Sequence, residues 1–152
     1  RPSAMNHDIL MVDDDPAILL FMGRTLSSLG SSRIATDGLS ALRIARERTP
    51  DLVLLDAEMP GMDGFQVCLA MKADPGLKHV PIIFVTSLQE PEIEVMGLHI
   101  GADDFIVKPF TADRLISRIN ARLRSKSQFD LLNQRSTLDG IAAAPNLADL
   151  QM

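Results

Sequence analysis

The chain has 152 residues, of which 46% are hydrophobic and 23% charged, as in an ordinary globular protein with one domain and room for an appendage. Its net charge of −5 leaves no basic surface of the kind that nucleic-acid binding needs, so we expect no direct nucleic-acid partner for this segment. A single cysteine, Cys68, excludes an internal disulfide, and no apolar run approaches the roughly 18 residues of a membrane span, so we predict a cytoplasmic protein without a membrane partner.

The first six residues precede any regular pattern. The segment RPSAM lacks the apolar stretch of a signal peptide, and a methionine at position 5 is typical of a start codon behind a vector remnant. We therefore predict that residues 1–6 are a leader outside the fold.

Short, solid apolar runs follow, and they alternate with segments of helical spacing. The runs cover residues 9–12, 52–55, 82–85 and 105–107, with a weaker one at 33–36. Runs of this length, rich in Ile and Val, are typical of strands buried on both faces, although a buried helix segment is the alternative for any one of them.

The segments between the runs are predicted helices. The first ends before Gly30, a predicted C-cap, and the second begins at Asp37. The third ends at the turn signal DPG (residues 74–76), the fourth ends at Gly101, and the fifth carries an apolar face that reaches Leu123. Five strand–helix repeats predict an α/β fold with a doubly wound, five-stranded parallel sheet over residues 7–124.

Polar side chains follow four of the five predicted strands. In chain order they are Asp13, Asp14 and Asp15, then Asp56, then Thr86 and Ser87, then Lys108 with Pro109. Ligands of such sheets bind at the carboxyl ends of the strands, so these residues are expected to form one site. Two or three carboxylates suit Mg²⁺ or Mn²⁺, and a carboxylate beside a bound cation can also act as a nucleophile toward phosphorus.

The segments ILMVDDDP, LVLLDAEMPGMDG, IIFVTS and FIVKPF, in this order, resemble the receiver domain of two-component response regulators. The resemblance covers about four-fifths of the chain and implies the (βα)5 flavodoxin-like fold. It implies that Asp56 is the phosphoacceptor and that Mg²⁺ is held by Asp13, Asp14, Asp56 and the backbone carbonyl of Glu58. Asp15 is then left to cap the first helix, with Pro16 at its first position.

The same resemblance implies how a phosphoryl group is sensed. Thr86 would be the switch hydroxyl, Lys108 would pair with the phosphoryl group, and the bond before Pro109 would be cis. Phe105 stands where many members carry tyrosine. Its ring retains the packing of the switch but lacks the hydroxyl, so we expect its outward state to be held less firmly.

The resemblance also implies the binding partners of this protein. The implied phosphoryl donor is a sensor histidine kinase or a phosphotransfer protein, and the implied output surface comprises the fourth helix, fifth strand and fifth helix. Charged residues crowd there, namely Asp103, Asp104, Arg114, Arg118 and Arg122. We predict a homodimer through this face that phosphorylation strengthens; a solvated charged face is the alternative.

Residues 125–152 form a predicted helical linker toward an output domain. The segment LDGIAAAPNLADL weakly resembles the entrance to a GGDEF (diguanylate cyclase) domain: Asp139, Ile141 and Asn146 fit, whereas residues 142–144 and Leu147 do not. The resemblance implies a receiver from a regulator of cyclic-di-GMP turnover. A stand-alone receiver with its own tail is the alternative.

Two further functions stay open at this point. One is a Mg²⁺-dependent phosphatase or phosphotransferase with an aspartate nucleophile, although such families place that residue after the first strand. The other is a pseudo-receiver that binds partners without phosphorylation. We favour the phosphorelay receiver, a signalling module rather than an enzyme, because four strand ends agree on one set of polar residues.

Overall fold

The computed structural model of the protein describes residues 6–88 and 90–143. Its elements, in chain order, are β1 (His7–Val12), α1 (Pro16–Leu26), β2 (Gly30–Ala35), α2 (Gly38–Glu47), β3 (Leu52–Leu55), α3 (Gly64–Ala73), β4 (Ile82–Thr86), α4 (Pro91–His99), β5 (Asp104–Val107) and α5 (Ala112–Ala143). All strands are parallel and form one sheet in the order β2-β1-β3-β4-β5. The predicted doubly wound, five-stranded α/β fold is confirmed.

Two apolar clusters cover the two faces of the sheet. Because successive strand residues point to opposite faces, Leu10 and Val12 pack with the side chains of α2, α3 and α4. Ile9 and Met11, which alternate with them, pack with α1 and α5. Burial on both faces explains why β3 and β4 are solid apolar runs.

The second strand differs from its prediction. β2 begins at Gly30 rather than at residue 33, and Gly30 is not a C-cap, because α1 ends at Leu26 with Ser27 in the capping position. Gly30 has a φ of +151°, and a Cβ there would lie 2.1 Å from the carbonyl oxygen of His7. This glycine therefore permits the close approach of β2 to β1, a long-range contact that local spacing does not show. β2 is an edge strand, which explains its weak apolar pattern.

The other predicted helix boundaries agree with the structure, and local caps mark them. The Asp15 carboxylate accepts a hydrogen bond from the Ala17 amide, and Pro16 is the first residue of α1. Asp37 caps α2 through the Ser40 amide. Asp74 and Gly101 close α3 and α4, the latter with a φ of +119°.

The last helix continues well past the sheet. α5 buries Leu115, Ile119 and Leu123 against the domain and then runs on to Ala143. Predictions for residues 1–5 and 144–152, including the leader and the end of the GGDEF-like segment, lie outside the described residues. Within the described ranges, no helix combines the length and the apolar character that a bilayer crossing requires.

Candidate functional site

The sheet register places the polar residues at one edge. Strand pairing extends one residue beyond the strands: the amide of Asp56 donates to the Val12 carbonyl at 2.9 Å, and the amide of Lys108 donates to the Thr86 carbonyl at 2.8 Å. Likewise, the Asp13 amide donates to the Ala35 carbonyl at 3.1 Å. The backbone positions of these residues are therefore set by the same hydrogen bonds that hold the sheet together.

Asp13 and Lys108 form the closest ion pair of this edge. Lys108 Nζ lies 2.8 Å from Asp13 Oδ2, and the Asp13 side chain is only 1% exposed. The other oxygen, Oδ1, accepts a hydrogen bond from the Asp15 amide at 2.9 Å. Both oxygens of this buried carboxylate thus have a donor, as burial of a charge requires.

Asp56 lies beside this pair but is held more loosely. Its Oδ2 is 3.8 Å from Lys108 Nζ, and its Oδ1 accepts a hydrogen bond of 3.3 Å from the Glu58 amide. Burial raises the pKa of the Asp56 carboxyl to about 6, and the neighbouring Asp13 carboxylate acts in the same direction. Lys108 opposes this shift without cancelling it. Asp56 is therefore a buried carboxylate whose negative charge is only partly compensated.

Three carboxylates at this edge could hold a divalent cation. Asp13, Asp14 and Asp56 each offer an oxygen, and these oxygens lie within 4.8 Å of one another. Asp13 and Asp56 are buried, whereas Asp14 is exposed and would admit the ion from solvent. A donor set of carboxylate oxygens fits a hard cation such as Mg²⁺.

The predicted switch residues flank this cluster on β4 and β5. Thr86 is fully buried, and its Oγ1 accepts a hydrogen bond of 3.3 Å from the Leu88 amide. Phe105 is directed inward, 6% exposed, with its ring 6.0 Å from that of Phe84. The Lys108–Pro109 peptide bond is cis, as the resemblance implied.

The site also depends on Gly64, which the sequence analysis did not single out. α3 begins at Gly64, and a Cβ there would lie 2.1 Å from the Asp56 carbonyl oxygen. The Gly64 amide donates to the Ala57 carbonyl at 3.0 Å. The available signal was the DG pair that ends the segment LVLLDAEMPGMDG, in which Asp63 caps α3.

The structure separates the charged residues of the predicted dimer face. Asp104 accepts two hydrogen bonds from Arg118, at 2.9 and 3.1 Å, and lies 4.0 Å from Arg122 Nε. Asp103 instead accepts a hydrogen bond from the Ile82 amide and lies 3.9 Å from Lys72 Nζ of α3. Arg114 is exposed in the first turn of α5. Asp103 therefore belongs to a different surface from Asp104.

Fold and site together define a signalling domain of the phosphorelay type. The family model of the response regulator receiver domain matches residues 9–120. The chain belongs to this family, and it is a signalling module of two-component systems.

Known proteins that resemble the chain are response regulators and their relatives. The chain is 43% identical over 121 residues to the DNA-binding response regulator MtrA of Mycolicibacterium smegmatis, covering 79% of this chain and 52% of MtrA. It is 39% identical over 132 residues to a probable cyclic di-GMP phosphodiesterase of Vibrio cholerae, covering 86% of this chain and 30% of that protein. Thus the chain spans about half the length, or less, of these relatives.

Among solved structures, the chemotaxis protein CheY4 of Vibrio cholerae has a similar fold. The two share 30% sequence identity with a TM-score of 0.73, over 76% of this chain and 98% of CheY4. This likeness confirms the flavodoxin-like receiver fold.

The raised pKa of Asp56 predicts a pH-dependent stability difference from Asp56→Asn. The folded protein binds the Asp56 proton more tightly than the unfolded chain, so this carboxyl lowers stability as the pH rises from about 4 to about 6. Without divalent cations, we expect Asp56→Asn to be more stable than the wild type by about 2 kcal/mol at pH 7, with little difference at pH 4. Urea unfolding at both pH values measures this. An equal difference at both would contradict the assignment.

Proposed function

We propose that Asp56 is the phosphoacceptor, which takes its phosphoryl group from the phosphohistidine of a sensor histidine kinase or phosphotransfer protein. The observation that carries this proposal is the environment of Asp56. It is a buried, incompletely paired carboxylate at a strand end, with Lys108 Nζ 3.8 Å from one oxygen and the Glu58 amide 3.3 Å from the other.

The transfer exchanges one bond to phosphorus for another. The bond between phosphorus and one histidine ring nitrogen breaks with its electron pair going to that nitrogen, and a carboxylate oxygen of Asp56 bonds to phosphorus. Because the other ring nitrogen of the phosphohistidine keeps its proton, the products are an acyl phosphate and a neutral imidazole. Asp56 attacks in its ionised form, which prevails above a pKa of about 6. The ammonium of Lys108 lies close enough to turn from Asp13 toward the new phosphoryl oxygens and to compensate their charge.

The aspartate cluster supports Mg²⁺, or Mn²⁺, as the cofactor. Asp13, Asp14 and Asp56 would hold the ion, and the backbone carbonyl of Glu58 remains a predicted further ligand. The bound ion would supply positive charge that compensates the phosphoryl oxygens. The residues present fit this role, because their ligand oxygens converge and no histidine or cysteine joins them within the described part of the chain.

Thr86 and Phe105 are proposed to report the phosphoryl group to the output surface. The Thr86 hydroxyl is bound by the Leu88 amide and would have to leave it in order to contact a phosphoryl oxygen. Phe105 already fills the space beside Phe84 and Gly97. Its inward position agrees with the expectation that phenylalanine, lacking a hydroxyl, holds the outward state less firmly.

The output is proposed to involve a second copy of this chain and a domain outside it. Val95, Met96 and Leu98 are exposed on α4, which packs against β5, and Asp104 of β5 pairs with Arg118 of α5; these elements support a homodimer. The relative named as a probable cyclic di-GMP phosphodiesterase supports an output in cyclic-di-GMP turnover, whereas MtrA is named as DNA-binding. The receiver itself is not proposed to catalyse either output.

Labelling with acetyl phosphate tests the phosphoacceptor. With Mg²⁺, we expect the wild type to gain the mass of one phosphoryl group in intact-mass spectrometry, and Asp56→Asn to gain none. Asp113→Asn, which removes an exposed aspartate from the first turn of α5, is the matched control and should label like the wild type. Labelling that persists in Asp56→Asn would refute the role of Asp56. Absence of labelling in the wild type, with or without Mg²⁺, would make the domain a pseudo-receiver.

Sedimentation of the same samples tests the dimer. Phosphorylation, or beryllofluoride with Mg²⁺, is expected to shift the wild type toward a dimer and to leave Asp56→Asn unchanged. An unchanged sedimentation coefficient over a wide concentration range would refute the dimer but not the phosphoacceptor.

A further inference from the structure

The β3–α3 loop (residues 57–63) follows Asp56 and is fixed at both ends. Near its beginning, the Ala57 carbonyl accepts a hydrogen bond of 3.0 Å from the Gly64 amide, which draws the two ends of the loop together. At its end, the Asp63 carboxylate caps α3 as part of a capping box. The shape of the loop between these two anchors therefore depends on what its central residues contact.

Met62 brings the loop back to the domain and lies directly on the first residue of α2, Gly38. A Cβ at Gly38 would be 2.8 Å from both Cβ and Cγ of Met62 and 2.9 Å from its carbonyl oxygen. Met62 also packs against the apolar cluster on this face of the sheet. The loop thus contacts α2 at a point that leaves no room for a side chain at position 38.

Space, and not backbone conformation, requires glycine at position 38. The φ of Gly38 is not positive, unlike those of Gly30, Gly61 and Gly101. An alanine could therefore adopt the same backbone dihedral angles, and its penalty would come from the clash with Met62. Gly38→Ala is for this reason a steric probe of the contact between α2 and the loop.

The loop, rather than α2, would move to relieve such a clash. Asp37 holds the first turn of α2 through hydrogen bonds from the Ser40 amide at 2.8 Å and the Ser40 hydroxyl at 3.0 Å. The helix also buries Ala45 completely in the core, where displacement is costly. In contrast, Pro60 and Gly61 at the tip of the loop are exposed to solvent.

A displaced loop would affect the Asp56 carboxylate through Glu58. The Glu58 amide donates to Asp56 Oδ1 at 3.3 Å, which is already long for such a bond and leaves little tolerance for further movement. The backbone carbonyl of the same residue is the predicted further ligand of Mg²⁺. Both the hydrogen bond to Asp56 and the metal affinity therefore depend on where the loop lies.

We propose that Gly38 is a positioning residue for the site, which acts through Met62 on the β3–α3 loop. Because Gly38 has no side chain, Met62 can lie on α2, and this contact sets the position of Glu58 beside Asp56. The inference rests on the proposed function of Asp56 and Glu58 in phosphorylation and Mg²⁺ binding. α2 thus contributes to the site without supplying a side chain to the carboxylate cluster.

Amide-resolved NMR of Gly38→Ala in the full chain tests this proposal. We expect the Glu58 amide resonance to move as its hydrogen bond to Asp56 lengthens, and titrated Mg²⁺ to bind about tenfold more weakly. A merely structural role would lower the folded fraction but leave the Mg²⁺ affinity of the folded protein unchanged. The matched control is Gly23→Ala, which should stay within about twofold of the wild type. The nearest atom to a Cβ at Gly23 is Met11 Cε, at an ordinary 3.7 Å.

Met62→Gly separates the proposed contact from other effects of the alanine. It removes the Cβ and Cγ that a side chain at position 38 would meet, so Gly38→Ala should weaken Mg²⁺ binding by less than about threefold in that background. An equal loss in both backgrounds would refute the proposal, as would an unchanged Glu58 resonance and Mg²⁺ affinity in Gly38→Ala. If Gly38→Ala does not fold, Met62→Gly alone decides: it removes the contact from the other side, and an unchanged Glu58 resonance would refute the role of the contact.

Failure of the proposed function would be recognised separately. The Glu58 resonance and the Mg²⁺ affinity are both measured on the unphosphorylated protein. A wild type that acetyl phosphate does not label would overturn the role of Asp56 as phosphoacceptor and leave these results intact. If the wild type binds no Mg²⁺, the Glu58 resonance in Gly38→Ala still decides whether the contact positions the loop.

Discussion

Replacing Lys108 with methionine is expected to lower the free energy of unfolding by about 3 kcal/mol without divalent cations. Lys108 Nζ lies 2.8 Å from the Asp13 carboxylate, which is almost fully buried, and 3.8 Å from Asp56. The substitution keeps the length of the side chain but leaves two buried carboxylates side by side without a cation. An unpaired buried charge is far more costly than the pair it came from. Urea unfolding at pH 7 measures the loss.

A double-mutant cycle with Asp13→Asn identifies the cause. If the loss comes from leaving the two buried carboxylates without a cation, Lys108→Met should cost less in the Asp13→Asn background, where only Asp56 loses its cation, and the coupling energy should exceed about 1.5 kcal/mol. An equal loss in both backgrounds would instead assign the effect to packing of the lysine stem. We also expect Lys108→Met to slow labelling by acetyl phosphate, because the phosphoryl oxygens lose a compensating cation.

Replacing Gly64 with alanine is expected to cost about 3 kcal/mol of stability and to impair the site. The new Cβ would lie 2.1 Å from the Asp56 carbonyl oxygen and 2.8 Å from the Ala57 Cα, both of them backbone atoms. Relief requires the start of α3 or the end of β3 to move. Because Asp56 follows β3 directly, we expect labelling by acetyl phosphate to slow about tenfold or more in the folded fraction.

Gly76→Ala is the matched control for this substitution. The nearest atom to a Cβ at Gly76 is Asp74 Oδ1, at 3.4 Å, and the site lies in an exposed turn. Its effect on stability should stay within about 0.5 kcal/mol, with labelling unchanged. A similar loss in both variants would mean that the close approach at Gly64 does not limit the fold.

Local features of the sequence determined the type and order of the elements. The apolar runs of β3 and β4 are short and solid because both faces of these strands are buried, and the capping aspartates Asp15 and Asp37 act within three residues of themselves. Parallel strands place their carboxyl ends at one edge of the sheet, so the sequence alone assigned Asp13, Asp56, Thr86 and Lys108 to one edge.

Only the tertiary structure decided how those residues pair. Lys108 could face either buried aspartate; it binds Asp13, which lies 95 positions away, and leaves Asp56 incompletely compensated. Gly30 is required by the approach of β2 to the His7 backbone, and Gly64 by the approach of the start of α3 to the backbone of Asp56 and Ala57. Asp103 and Asp104 are neighbours in sequence yet contact Lys72 and Arg118 on different surfaces, because adjacent residues of an extended chain point in opposite directions. Each of these depends on contacts between different elements of the fold, and such contacts exist only once the sheet has formed.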